Sequence, residues 1–326
     1  MSFNLKYAIE ASVFWSPADR VVSCGYKKAA DEKELYKFLK RIEGIEGVEI
    51  YYPYDFKDVK IIKKNILNEG IKVSAVGIGF FAEPKWQNGA VTSYNKNIRS
   101  EAIYLSKKAI EAASELNTNV VIFWPAHDGY DYYFQTDYQK KWDMLVESLK
   151  DLASLNRNIK LAIEYKPREP RTHQIISTAS KALKLCEDCG EPNIGVVMDI
   201  GHAFLAKENP AEEICYLMNK NRLFHLHSND NFGDWDFDMV PGSVHFWEFI
   251  EAFFWLVKLG YEGWINFDIC PFREDSLKSC NFSIKNTKRI VNFVKNLDSK
   301  LLDNFIKNND AISSYDYLWN EIKMSC

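Results

Sequence analysis

Short apolar runs, rich in β-branched residues, alternate along this chain with longer segments whose apolar positions recur every three or four residues. The runs are LKYAIEA (5–11), GVEIYY (47–52), KVSAVGIG (72–79), NVVIFWP (119–125), KLAIEYKP (160–167), IGVVMDIGH (194–202), LFHLHSND (223–230) and WINFDICP (264–271). Their length and composition predict strands, and the spacing between them predicts amphipathic helices. DEKELYKFLKRIEG, SEAIYLSKKAIEAASEL, KKWDMLVESLKDLASL, ISTASKALKLCEDCG and HFWEFIEAFFWLVKLG carry that spacing. Several end in Gly or Asn just before the next strand, as helix C-termini do. Eight strands, each followed by a helix, predict an α/β fold, a (β/α)8 (TIM) barrel. The rival is an open doubly wound sheet, which uses fewer strands, and no GxGxxG turn is present. No stretch rich in Pro, Gly or Ser interrupts the alternation. One barrel domain is therefore expected over 1–300, with a short helical extension over 301–326.

Composition narrows the class. The chain has 326 residues, 47% hydrophobic and 26% charged, enough apolar material for one large core. A net charge of −4 offers no basic stripe for gripping phosphates, so no nucleic-acid partner is expected. No apolar window reaches the length of a membrane span, and MSFNLKYAIE has neither the basic nor the apolar region of a signal peptide. A cytoplasmic location and reduced thiols are expected for the seven cysteines. The lone CxxC, Cys186 to Cys189, falls inside a helical pattern and reads as incidental.

A barrel of this kind places its chemistry at the C-terminal ends of its strands. There the sequence is unusually polar. The fifth predicted strand ends in Glu164 and Lys166, and the sixth in Asp199, followed by His202. The seventh ends in His225 and His227, with Asp236 and Asp238 in its loop, and the eighth ends in Asp268. Buried charge is costly unless it is paired or binds a metal, and four consecutive strands deliver ionisable groups to one rim. The donors are Glu164, Asp199, His202, His227, Asp236, Asp238 and Asp268. Carboxylates dominate and no thiol fits, which favours Mg²⁺, Mn²⁺ or Co²⁺ over structural zinc. Seven donors exceed one ion's needs, so two divalent ions are expected, with Asp236-x-Asp238 chelating one of them. Lys166 shares a strand face with Glu164 and is placed to hold a substrate oxygen.

The ordered motifs resemble those of xylose isomerases and related metal-dependent sugar isomerases. IEYKPREPR resembles their glutamate–lysine signature, MDIGHAF the acid followed three residues later by histidine, FHLHSND…DFD the Asp-x-Asp segment, and NFDICP the last aspartate ligand. PKWQNGAVTSYNKNIR and FWPAHDGYDY resemble two upstream loops in place, and the likeness runs over about 78–272. The resemblance implies an aldose–ketose isomerase with two divalent ions and a sugar substrate, working as a dimer or tetramer. Glu164, Asp199, His227 and Asp268 match the ligands of the ion that holds the sugar's hydroxyls. His202, Asp236 and Asp238 match those of the ion that serves proton movement between O1 and O2. Lys166 matches the lysine that holds O1, and with Asp236 and His202 makes up the catalytic set. Substrate contacts are expected from Trp15, Phe81, Trp124, His127 and Lys166, the three aromatic rings keeping a hydride path between C1 and C2 dry.

Some positions depart from the xylose isomerase pattern. His227 stands where those enzymes carry aspartate and Asp199 where they carry glutamate; both choices resemble bacterial rhamnose isomerases. The histidine that assists ring opening after the second strand is missing from YYPYDF, which leaves Tyr51, Asp55, His127 or a water for that task. The chain also lacks most of the long C-terminal arm of xylose isomerases. Two rival readings share the barrel. A ketose 3-epimerase uses one metal and two glutamates, and would leave Asp236-x-Asp238 unexplained. An endonuclease IV-like repair enzyme carries more histidine and three zincs, and is disfavoured by the negative charge. With the strand-end carboxylates all claimed as ligands, no free base remains for an exchanging enediol route, and a hydride shift is expected.

Overall fold

The computed structural model describes residues 5–325 apart from Glu69 and Pro170. Eight parallel strands close into a barrel: β1 (Lys6–Glu10), β2 (Gly47–Tyr52), β3 (Lys72–Ile78), β4 (Val120–Phe123), β6 (Lys160–Glu164), β9 (Ile194–Asp199), β10 (Leu223–His227) and β11 (Trp264–Phe267). Each lies within one of the eight apolar runs. Between β4 and β9 a small three-stranded sheet is inserted, from β5 (Gly129–Tyr130), β7 (Arg168–Glu169) and β8 (Thr172–Gln174). The helices are α1 (Glu32–Leu39), α2 (Val59–Asn68), α3 (Lys96–Glu115), α4 (Tyr138–Leu155), α5 (Ala179–Cys189), α6 (Ile200–Ala206), α7 (Pro210–Asn219), α8 (Phe246–Lys258), α9 (Ser276–Asn296), α10 (Ser299–Lys307) and α11 (Ala311–Ser325).

Local chemistry sets the element ends. Asp31 opens α1 with a reciprocal capping box, its carboxylate accepting from Glu34 N at 2.8 Å while Glu34 accepts from Asp31 N at 3.0 Å. Gly190 closes α5 in the left-handed region, at φ +71°. The sixth apolar run, extended to His202 on its pattern, is cut short at Asp199. The Asp199 carboxylate accepts from His202 N at 2.7 Å and starts α6, so Ile200 to His202 are helical.

Two apolar layers hold the barrel. Leu149 of α4, Leu185 of α5, Phe253 of α8 and Ile284 of α9 join the outward-facing strand residues in one large core between sheet and helices. Ala75, Val120, Ile122, Ala162 and Val197 make a separate buried cluster along the barrel axis, from the opposite strand faces. Cys186 and Cys189 are buried in α5, free thiols packed in the core rather than grouped as ligands. The C-terminal helices return to the barrel through Trp247, whose ring meets Tyr315 at 5.3 Å and Trp319 at 5.0 Å. No helix among the described residues is long and apolar enough to cross a membrane.

Leu149 is fully buried beneath the sheet. Leu149→Ala is expected to cost about 2–5 kcal/mol of unfolding free energy in chemical denaturation. It should leave divalent-ion affinity unchanged, because the side chain lies outside the barrel mouth.

Candidate metal centre at the barrel mouth

The strand ends bring four donors together. Glu164 ends β6, Asp199 ends β9, His227 ends β10 and Asp268 follows β11. One donor atom from each lies within 4.8 Å of every other. His227 is the centre of the group. Its Nδ1 stands 3.5 Å from Glu164 Oε1, 3.6 Å from Asp199 Oδ2 and 3.6 Å from Asp268 Oδ2. These separations are too long for good hydrogen bonds, and Nδ1 has no hydrogen-bond partner. A buried nitrogen left without a partner among three carboxylate oxygens is what a divalent cation's donor set requires. The residues present therefore fit the group that the resemblance implies.

The second predicted set adjoins the first. Asp236 Oδ2 is 3.1 Å from His202 Nε2 and 2.6 Å from Lys166 Nζ. His202 Nδ1 faces Glu164 Oε1 at 3.5 Å. His202 Nδ1, Asp236 Oδ1 and Asp238 Oδ1 all lack hydrogen-bond partners although buried. Lys166 also pairs with Glu169 of β7, and its Nζ lies 5.2 Å from the Trp124 ring centroid. All seven predicted donors thus occupy one rim, together with Lys166.

Backbone features hold these groups in place. Two residues beyond Asp199 only glycine fits, because a Cβ at Gly201 would come within 1.8 Å of Asn229 Oδ1, and Asn229 Nδ2 donates to Asp199 Oδ2 at 2.8 Å. The 231–238 loop is tied at its base. Asp230 and Met239 exchange backbone hydrogen bonds at 2.8 and 2.9 Å, and Cys270 N donates to Asp238 O at 2.9 Å. Asp238 itself sits at φ +46°, a left-handed conformation that aspartate adopts more readily than most residues.

Electrostatics follow from the crowding. Burial pulls the His227 pKa down, but Glu49 and Glu164 outweigh it and hold the imidazole well above its ordinary value. Burial opposes the charge on His202 too, yet Asp199 and Asp236 raise its pKa to about 9. Burial also pushes up Glu164, and it pushes Asp238 well up with help from Asp236 and Asp268. Asp236 moves the other way: burial is outweighed by Lys166 and His202, which hold it well below the usual carboxylate range. Lys166 is correspondingly held well above its ordinary value, the burial penalty being exceeded by Asp236 and Glu169.

The predicted aromatic wall is continuous, although it needs a ring that the sequence reading missed. Trp15 meets Tyr54 at 6.5 Å, Tyr54 meets Phe81 at 5.1 Å, and Phe81 meets Trp124 at 5.1 Å. His127 Nε2 is bonded to Phe81 O at 3.1 Å, so it braces this wall. Of the three side chains considered for ring opening, Asp55 is occupied on both oxygens, by Trp15 Nε1 at 3.0 Å and Tyr51 N at 2.6 Å. Tyr51 remains; its hydroxyl pKa is raised by burial and by Glu10 and Glu164.

One expectation needs correcting. The predicted donor set does not take up every strand-end carboxylate, because Glu10 ends β1 as a buried carboxylate outside that set. Burial, Asp268 and Glu49 push its pKa well up. Glu49 of β2 is a second missed carboxylate, fully buried, with Oε2 3.0 Å from His225 Nε2 and 3.2 Å from His227 Nε2. Each is a lone acidic letter at inward parity within an apolar strand run, and that was the available signal.

A family model described as xylose isomerase-like TIM barrel matches residues 37–288. The chain belongs to the xylose isomerase-like TIM-barrel family. Among curated relatives, xylose isomerase of Thermus thermophilus is 27% identical over 227 residues, covering 67% of this chain and 58% of that protein. Xylose isomerase of Thermus caldophilus is 26% identical over the same length and shares. The chain thus spans under two thirds of the curated relatives it matches. Among solved structures, an L-ribulose 3-epimerase superposes with a TM-score of 0.70 at 16% identity, covering 92% of this chain and 98% of that one. D-psicose 3-epimerase from Clostridium cellulolyticum H10 gives 0.69 at 18% identity, covering 88% and 99%. At these identities the structural likeness shows the shared fold.

Glu49 and Glu164 hold the His227 pKa up, and Asp199 and Asp236 that of His202, so an ion entering this site would displace protons from both imidazoles. Affinity for Mn²⁺ is therefore expected to rise with pH, about tenfold per unit for each proton displaced. Calorimetric titration in two buffers of different ionisation enthalpy measures the released protons. A pH-independent affinity with no proton release would contradict this.

Proposed function

We propose that the protein is an aldose–ketose isomerase that binds two divalent ions, Mn²⁺, Co²⁺ or Mg²⁺, and moves hydrogen between C1 and C2 of its sugar as hydride. The observation that carries this reading is the contact of Asp236 with both Lys166 and His202 beside the four-donor group. A one-ion site would leave the buried, unpartnered Asp236 Oδ1 and Asp238 Oδ1 without a task. Glu164, Asp199, His227 and Asp268 would hold the first ion, and His202, Asp236 and Asp238 the second. Bound there, the ions polarise the substrate's carbonyl and acidify its neighbouring hydroxyl.

The chain's own groups do the rest. Lys166 remains cationic and donates a hydrogen bond to O1, stabilising the negative charge that grows on it. Asp236 keeps the Lys166 ammonium aimed at the rim, and His202 fixes Asp236 from the other side. The belt from Trp15 through Tyr54 and Phe81 to Trp124 excludes water from the face where hydrogen moves. In the aldose-to-ketose direction the C2 hydrogen leaves with its electron pair for C1, and the O2 proton passes to O1. Tyr51, beside Glu10 and Glu164, is the side chain suited to assist ring opening.

A second reading, 3-epimerisation by proton exchange, is favoured by two observations. Glu164 and Asp268 present carboxylate oxygens within 4.8 Å of each other, and Glu10 supplies a buried carboxylate outside the ligand set. Incubation of the Mn²⁺-loaded protein with a panel of aldoses and ketoses in deuterated water separates the two. The isomerase reading expects a ketose that retains at C1 the hydrogen from C2 of the aldose. It also expects Lys166→Met to lower kcat by roughly 100- to 1000-fold, the usual effect of deleting one such donor. Substantial deuterium at the transferred position, or at C3 of a recovered ketose, would overturn the hydride route in favour of carboxylate-based exchange.

A further inference from the structure

Below the barrel mouth lies a polar group that the proposed chemistry does not use. Glu49 sits between Val48 and Ile50 on β2, side chain inward, in register with Glu10 on β1 and Ala75 on β3. His225 and His227 are two residues apart on β10 and point to the same side. Neither histidine nor Glu49 has any solvent exposure. A single oxygen, Glu49 Oε2, is shared by His225 Nε2 at 3.0 Å and His227 Nε2 at 3.2 Å.

We propose that Glu49 is the positioning residue of the metal centre: by accepting the Nε2–H of His227 on an oxygen steadied by His225, it commits His227 to binding its ion through Nδ1. The inference rests on the metal-binding reading of the rim. Imidazole has two ring nitrogens, and which one is left to a ligand is decided by the hydrogen bond the other makes. Turning the ring over would take Nε2 away from Glu49 and abandon the one hydrogen bond that the His227 ring makes among the described residues. It would also leave the buried Glu49 with one partner in place of two. Glu49 has no solvent exposure, so its orientation depends on its protein partners, which gives a role to His225, a second histidine paired with none of the rim carboxylates in the group. A carboxylate behind a ligand histidine orients the ring and raises its basicity.

The test reads the metal site directly and needs no turnover. In protein labelled with ¹⁵N-histidine and loaded with Zn²⁺ as a diamagnetic probe, the ring nitrogens of His227 are assigned by NMR. The expected result is coordination through Nδ1, with the proton on Nε2. Calorimetry then compares Co²⁺ binding by the wild type with Glu49→Gln and with Glu49→Met, and the thermal midpoints of the metal-free proteins report folding separately. Glu49→Gln keeps one accepting oxygen but loses the charge, and should weaken the first Co²⁺ site by about 10- to 100-fold. Glu49→Met keeps no acceptor and should weaken it further, and the ligating nitrogen should become mixed. Coordination of the wild type through Nε2, or a folded Glu49→Gln protein with unchanged Co²⁺ affinity, would overturn the role of Glu49 while leaving the metal site standing. A wild type that binds neither Zn²⁺ nor Co²⁺ would overturn both.

Discussion

The structure turns on the cost of burying like charges. Glu10, Glu49, Glu164 and Asp199 are all buried at or near the barrel mouth, and Asp268 stands beside them. In a low-dielectric interior such a set repels itself, and each member loses its hydration. Part of the cost is met within the protein. Glu49 has His225 and His227, Asp236 has Lys166 and His202, and Asp199 has Asn229 and the first turn of α6. The rest is met in the metal-free protein by protons, through raised imidazole and carboxylate pKa values. A divalent cation held as proposed would replace those protons with a charge of the right sign at the point where the oxygens converge.

That constraint explains the placement of the remaining parts. A rigid strand end places a side chain more accurately than a free loop does, and Glu164, Asp199 and His227 are strand ends. The loop residues Asp236 and Asp238 are the exception, and their loop is pinned at Asp230, Met239 and Cys270. The small sheet of β5, β7 and β8 has a comparable task. It carries Glu169, which pairs with Lys166, and its strand β5 pairs Gly129 and Tyr130 with Gln174 and His173.

Much of this was legible in the sequence. Parallel barrel strands are buried on both faces and so appear as continuous apolar runs, which is why all eight could be read without ambiguity. Glu164, Asp199, His202, His227 and Asp268 were legible because they sit at the ends of those runs, and Asp236 and Asp238 because they form an Asp-x-Asp pair in the loop after the seventh. The strands of the small sheet are too short to leave a periodic signal. Glu10 and Glu49 were passed over because each is a single acidic letter within an apolar strand, and Tyr54 because its partners lie on different loops. The sixth strand was read to end at Asp199, as it does, but the turn into helix was not legible: Ile200 and Gly201 look like strand, whereas the Asp199 carboxylate caps them into helix.

The most direct measurement is anomalous diffraction from crystals soaked in Mn²⁺, recorded on both sides of the manganese absorption edge. The account predicts an anomalous peak within coordination distance of Glu164, Asp199, His227 and Asp268, and a second near His202, Asp236 and Asp238. Ordered crystals with no peak among those first four side chains, at Mn²⁺ concentrations that saturate binding in solution, would contradict it.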